Sequence, residues 1–191
     1  NARLMPSDIE AVSGVIVGAG ILLMQLEVPV ETVAYAARLA KSHGVTVVLN
    51  PAPAPADTLP PELLENVDIL IPNRTELEMI SGHDCSGSVD EAVESLAGIG
   101  VGTLVVTLGS KGALICRNGE RRLMPAFKVK PVDTTAAGDT FCGALCVALA
   151  EGRPIDEAVT FGNLAASITV TRAGAQNAIP TRAEVDRAAS L

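Results

Sequence analysis

The sequence predicts an α/β fold, a doubly wound, mostly parallel sheet flanked by helices, and three observations carry that reading. Short β-branched or aliphatic runs alternate with amphipathic segments, the pattern of βα units. At 191 residues and 48% hydrophobic content, the chain is long enough for one domain with its own core. A single Asn-Gly turn between two short strands is the one clear antiparallel addition, near a sheet edge.

The elements follow in order. Ser7 and Glu10 have the spacing of a capping box for a short first helix. Residues 21–26 (ILLMQL) form a buried strand, and residues 29–42 a helix with Val33, Ala36, Ala37 and Ala40 on its apolar face, closed by Gly44. Residues 45–49 (VTVVL) are the next strand. The run NPAPAPAD then forces an extended loop, because alternating prolines continue neither a helix nor a central strand. Residues 67–71 are a strand ending at Pro72 and Asn73, residues 75–81 and 90–96 are helical, and residues 103–107 (TLVVT) are a strand running into LGSKG. A hairpin joins residues 113–116 to 121–124 through Asn118 and Gly119. From Gly138 the pattern is mostly helical to about Arg172, and again after Pro180.

Composition excludes several functions. A net charge of −8, with no basic cluster longer than Arg121-Arg122, argues against nucleic acid, and one Tyr, three Phe and no Trp offer little for base stacking. No apolar run reaches the ~20 residues that span a bilayer, and the first residues lack a signal-peptide shape, so a cytoplasmic location is expected. Cys85, Cys116, Cys142 and Cys146 have no CxxC spacing and read as reduced thiols. With only His43 and His83 beside them, a zinc site is not expected. Cys142 and Cys146 lie four apart on one helix face, the spacing of core packing.

The most informative segment is DTTAAGD, Asp133 to Asp139, ahead of Thr140, Phe141 and a helical pattern. Small residues at a helix entrance leave backbone N–H groups and the positive end of the helix dipole pointing at one spot, which suits a phosphate. An acid there suits a different task, that of a general base beside a phosphoryl group. Two further loops follow predicted strands, PNRTE and TLGSKG. In doubly wound sheets such loops converge on one crevice at the carboxyl ends of the strands. Neither GxxxxGK(S/T) nor GxGxxG is present, which argues against a Walker-type phosphate loop and a dinucleotide fold. Each residue also has a plain structural reading: Asp133 and Asp139 as loop cap and helix N-cap, Asn73 and Glu76 as a helix start, Glu27 as a solvated strand-end charge, Lys111 as a surface lysine, and Asn163 as a satisfied core amide.

With these residues in place, the chain resembles the ribokinase-type, phosphofructokinase-B family of sugar kinases. DTTAAGDTFCGAL is similar to the family's DTxxAGD signature, PNRTE carries its NxxE motif, and LLMQLE, LNPAPA, VTLGSKG and VTRAGAQ extend the likeness along nearly the whole chain. The resemblance implies ATP-dependent phosphorylation of the ribose 5-hydroxyl with Mg2+ and a monovalent cation, usually K+. It implies Asp139 as the base and Ala136, Ala137 and Gly138 as the anion hole. Asn73 and Glu76 would act near the triphosphate and its magnesium, Glu76 through water. Thr107, Leu108, Gly109, Ser110, Lys111 and Gly112 would line the nucleotide, Asn163 would border the adenine, and Glu27 would reach the sugar hydroxyls. Asp133, Thr135, Thr169, Arg172 and Gly174 match positions around the monovalent cation. Ala178 stands where the family commonly has Ser, so a weaker cation site is expected.

The resemblance also implies what the chain does not show. The family's N-terminal part, with a glycine-rich sugar motif, several strands and a small lid that often makes the dimer, has no counterpart before LLMQLE. The expectation is therefore a C-terminal portion of a single α/β kinase domain, residues 1–191, lacking the sugar-binding and lid segment, with a small-molecule sugar and ATP as partners and a dimer in its full-length form. Two alternatives stay open: another sugar or nucleoside kinase of the same family, and a non-catalytic nucleotide-binding fragment.

Overall fold

Four strands rich in Val, Leu and Ile build the parallel part of the sheet: β1 (Ile21–Met24), β2 (Thr46–Leu49), β3 (Ile69–Leu70) and β4 (Thr103–Thr107). Each neighbour pair is parallel, with Leu22 opposite Val47, Val48 opposite Ile69, and Ile69 opposite Thr103. Val47, Val48, Leu49, Leu70, Val105 and Val106 are buried, as expected of parallel strands covered on both faces. The computed structural model describes residues 1–54 and 58–190. The proline-rich loop predicted after β2 extends into residues 55–57, which lie outside the described residues.

Beyond β4, a 3-10 turn at Gly109–Lys111 leads into β5 (Ala113–Arg117), and β6 (Glu120–Met124) follows. Asn118 and Gly119 both have positive φ, 51° and 79°, the geometry of a two-residue type I′ turn. The strand order is β1-β2-β3-β4-β5-β6. The connections before and after β5 are too short for parallel crossovers, so β5 and β6 run antiparallel and the sheet is mixed.

The described chain divides into two compact units, Asn1–Val106 with Cys116–Arg121, and Thr107–Ile115 with Arg122–Leu191. In the first, α1 (Pro6–Ala11), α2 (Ser13–Val17) and α4 (Pro61–Leu64) pack on α3 (Val30–Ser42), which lies on β1 and β2. The buried face of α3 is Val33, Ala36, Ala37 and Ala40, the predicted stripe, and Gly44 at φ 75° follows its C-terminus. Two more helices, α5 (Arg74–Ser81) and α6 (Asp90–Gly98), pack on each other.

The expected Ser7/Glu10 box at the first helix gives way to a single side-chain bond at an earlier helix start. Pro6 occupies the first helical position, where its fixed φ fits, so Met5 is the N-cap and its N–H donates to the Asp8 carboxylate at 2.8 Å.

In the second unit the stretch predicted as mostly helical to about Arg172 holds two helices, α7 (Ala137–Ala150) and α8 (Ile155–Thr169), and α9 (Arg182–Ala189) follows Pro180 as predicted. Gly152, at φ 81°, and Pro154, the N-cap of α8, make the break. Gly162 sets how closely α7 and α8 approach, because a Cβ there would lie 2.9 Å from the Phe141 ring and 3.0 Å from its carbonyl oxygen. Arg153 and Arg182 stack over the Phe161 ring at 4.8 and 5.4 Å and both pair with Glu151, which ties α9 to this pair.

Replacing Gly162 with Ala forces Phe141 and α8 apart. We expect a loss of about 1–3 kcal/mol in urea unfolding, and a change within 0.5 kcal/mol would contradict the tight α7–α8 contact.

Candidate active site

In the first unit, the parallel direction of β1, β2 and β3 places the residues after each strand at one sheet edge. A chain of amides spans that edge. Gln25 Nε2 donates to Asn50 Oδ1 at 3.1 Å, and Asn50 Nδ2 donates to the Ile71 carbonyl at 2.8 Å. Glu27 is exposed in the bend after β1. Asn73 and Glu76 begin α5 as a reciprocal capping box: Asn73 Oδ1 accepts the Glu76 N–H, and the Glu76 carboxylate accepts the Asn73 N–H and Nδ2, all at 2.8 Å. Glu76 is 8% exposed, and burial pushes its carboxyl pKa up while the Asn73 backbone N–H pulls it down. Each oxygen still has a second lone pair, so this carboxylate fits a magnesium ion reached through water.

In the second unit, Thr107, Leu108, Gly109, Ser110, Lys111 and Gly112 form the turn between β4 and β5. The Leu108 N–H donates to the Gly112 carbonyl at 2.7 Å, and Ser110 and Lys111 are exposed. Gly112, at φ 102°, lies against residues 124–126, where a Cβ would stand 2.6 Å from the Ala126 nitrogen. Asn163 on α8 is buried, and its Nδ2 donates to the Met124 and Pro125 carbonyls at 3.0 and 3.3 Å. The sequence-level alternative of a satisfied core amide therefore describes its contacts.

The loop ahead of α7 is tied to the loop after α8. The Val132 and Asp133 N–H groups donate to the Val170 carbonyl at 2.7 and 3.2 Å. One Asp133 carboxylate oxygen accepts from Thr135 N–H and Oγ1 at 2.9 and 2.7 Å, and the other accepts the Gly174 N–H at 3.0 Å. These bonds, the Thr135 N–H first, lower the Asp133 pKa to about 2. The Arg172 N–H donates to the Thr169 carbonyl, and its guanidinium bonds Glu184 on α9 at 2.6 Å. The loop thus brings Asp133, Thr135 and Gly174 together, and its carboxylate and carbonyl oxygens are the hard donors that a monovalent cation takes. Ala178 is fully buried and brings no side-chain oxygen.

Ala136 is the N-cap of α7 and sits in the left-handed region, φ 59° and ψ 10°, which costs a non-glycine residue about 1–2 kcal/mol. Its methyl group caps nothing, so the first turn of α7 presents its amides beside the positive end of the helix. Ala137 and Gly138 are the first two helical residues, and Asp139, exposed, is the third rather than the N-cap.

Sequence reasoning did not single out Gln25, Asn50 and Thr140, whose side chains make the bonds nearest these loops. Gln25 and Asn50 could have been found from their place directly after β1 and β2. Thr140 could not, because its partner Thr169 lies twenty-nine residues away. Partial burial pushes the Cys146 thiol up to about 11, and burial also raises Cys85 and Cys116. Among the described residues, no group of three or more His, Cys, Asp or Glu side chains is placed to hold a metal, and no helix is long and apolar enough to cross a membrane.

The Asp133 bonds make a pH prediction. Because the folded carboxyl is depressed below its ordinary 3.8, its contribution is full above that value and is lost as pH falls through about 2. A side-chain NMR titration should give a midpoint near 2. A midpoint near 3.8 would mean that Thr135 and Gly174 do not hold this carboxylate.

Comparison with known proteins bears on this geometry. The profile of the pfkB family carbohydrate kinases matches residues 3–182. A ribokinase of Haemophilus influenzae is 48% identical over 165 residues, covering 85% of this chain and 53% of that protein. The crystal structure of ribokinase from Thermotoga maritima superposes with a TM-score of 0.89 at 40% identity, covering 100% of this chain and 62% of that one. Arabidopsis thaliana ribokinase, solved with ribose and ATP, superposes at 0.87 with 35% identity, covering 93% of this chain and 58% of that one. The chain thus spans little more than half the length of these relatives. The motifs, the mixed sheet and the profile match agree, and the chain belongs to the pfkB family of carbohydrate kinases.

Proposed function

We propose that the chain carries the nucleotide-binding and catalytic portion of one kinase domain that transfers the γ-phosphoryl group of ATP to the 5-hydroxyl of D-ribose. The 48% identity to a ribokinase supports the sugar assignment. The observation that carries the chemistry is the first turn of α7, where the left-handed Ala136 leads directly into two small residues and then Asp139.

In this reading Asp139 takes the proton of the attacking hydroxyl as the oxygen–phosphorus bond forms and the bond to the departing ADP breaks. The backbone N–H groups of Ala136, Ala137 and Gly138 hold the equatorial oxygens of the phosphoryl group in transit. Their small side chains allow close approach, and the dipole of the fourteen-residue α7 adds a favourable potential. Turn residues Thr107, Leu108, Gly109, Ser110, Lys111 and Gly112 line the nucleotide, with Asn163 beside the adenine and Glu27 toward the sugar hydroxyls.

Asn73 and Glu76 would act near the triphosphate and its magnesium, Glu76 through water, and the ion would supply neutralisation of phosphate charge. The Asp133 and Thr135 side, with Thr169, Arg172 and Gly174, would hold a potassium-like cation chiefly through carbonyl oxygens. Its affinity is reduced by the missing hydroxyl at Ala178. A cytoplasmic location and a dimer accompany the same family reading.

Asp139→Asn in the natural full-length chain tests the base. We expect kcat for ribose with MgATP to fall by about 10²-fold or more with little change in either KM. Retention of kcat within about tenfold would remove Asp139 from that role.

A further inference from the structure

The roles above leave Thr140 unused, although it is 6% exposed and points into the packed side of α7. Its hydroxyl donates to the Ala136 carbonyl at 2.8 Å, and its N–H donates to the same oxygen at 2.9 Å. The Thr140 hydroxyl oxygen in turn lies 3.1 Å from the hydroxyl of Thr169, a fully buried donor that shares its proton with the Ala165 carbonyl at 3.2 Å. Two buried hydroxyls in series therefore end on the carbonyl of Ala136, the N-cap held in the left-handed region.

A threonine bonding the carbonyl four residues back is common in helices, and Thr160 does so to Asp156 on α8 at 2.8 Å. Thr140 differs in three respects: its acceptor is the left-handed N-cap, it is buried, and a second hydroxyl backs it. The carbonyl of Ala136 and the N–H of Ala137 belong to one rigid peptide plane. Fixing the oxygen fixes the direction of that N–H, whose distance of 3.3 Å to the Thr134 carbonyl makes only a long bond.

We propose that Thr140, backed by Thr169, is a positioning residue that locks the Ala136–Ala137 peptide in its left-handed turn and so aims the Ala137 N–H at the transferred phosphoryl group. The proposal rests on the reading of residues 136–138 as the anion hole. It also links that hole to the loop after α8, because Thr169 is the last residue of the helix leading into Gly174.

The test uses the natural full-length chain with ribose and MgATP, together with NMR shifts of Ala136. Thr140→Val should lower kcat by about tenfold or more while both KM values stay within about threefold, and Thr140→Ser, which keeps the hydroxyl, should stay within about threefold of the parent. In parallel, the Ala136 Cα, Cβ and carbonyl shifts should leave their left-handed values in Thr140→Val and keep them in Thr140→Ser. A valine variant within about twofold of an active parent, or with unmoved Ala136 shifts, overturns the proposal. A parent without phosphotransfer overturns the kinase reading instead, and the Ala136 shifts then decide the positioning claim alone. If Thr140→Val does not fold, Thr169→Val takes its place: a moved Ala136 carbonyl shift supports the relay, and an unmoved one overturns it.

Discussion

The left-handed turn at Ala136 is the constraint on which the candidate site depends. A residue with a Cβ adopts φ 59° only where its surroundings outweigh the cost, and here those surroundings are identifiable. On one side the Asp133 carboxylate holds Thr135 and Gly174. On the other, the Thr140 hydroxyl and N–H hold the Ala136 carbonyl from within α7. If Ala136 relaxed to an ordinary conformation, α7 would begin at another angle. The first-turn amides and Asp139 would then be redirected together.

That turn needs a firm base, which α7 and α8 supply. Gly162 lets the two helices meet at Phe141, two residues beyond Asp139, and the Phe161 ring on α8 is clasped by Arg153 and Arg182. These exposed ion pairs contribute little singly. Their shared partner Glu151 and the aromatic ring make them a network that anchors α9. In the first unit the Gln25–Asn50–Ile71 chain does comparable work at the ends of three parallel strands. It satisfies a buried amide that would otherwise be costly.

Much of this was legible in the sequence because it is written in local patterns. The α3 stripe, the β4 run, the Asn118-Gly119 turn and the Asn73/Glu76 spacing each appear where the residues place them. The readings that shifted turned on competition between neighbours. Pro6 claimed the helix start ahead of Ser7, and Gly152 with Pro154 set a boundary inside a stretch that the pattern marks only as mostly helical. The side-chain bonds at the site were hidden for a different reason. Asn163 bonds residues thirty-eight and thirty-nine positions away, and Asp133 reaches Gly174 across forty-one. Periodicity carries no record of such pairings. DTTAAGD exposed the acid and the small residues, yet not the two buried hydroxyls behind them.

If the Ala136 turn exists to receive a phosphoryl group, the amides of Ala136, Ala137 and Gly138 must sense one directly. The decisive measurement is a backbone NMR titration of the natural full-length chain with MgATP. The account predicts that these three amides move among the most strongly and saturate together at or below millimolar nucleotide. A folded protein in which MgATP leaves them unmoved would contradict it.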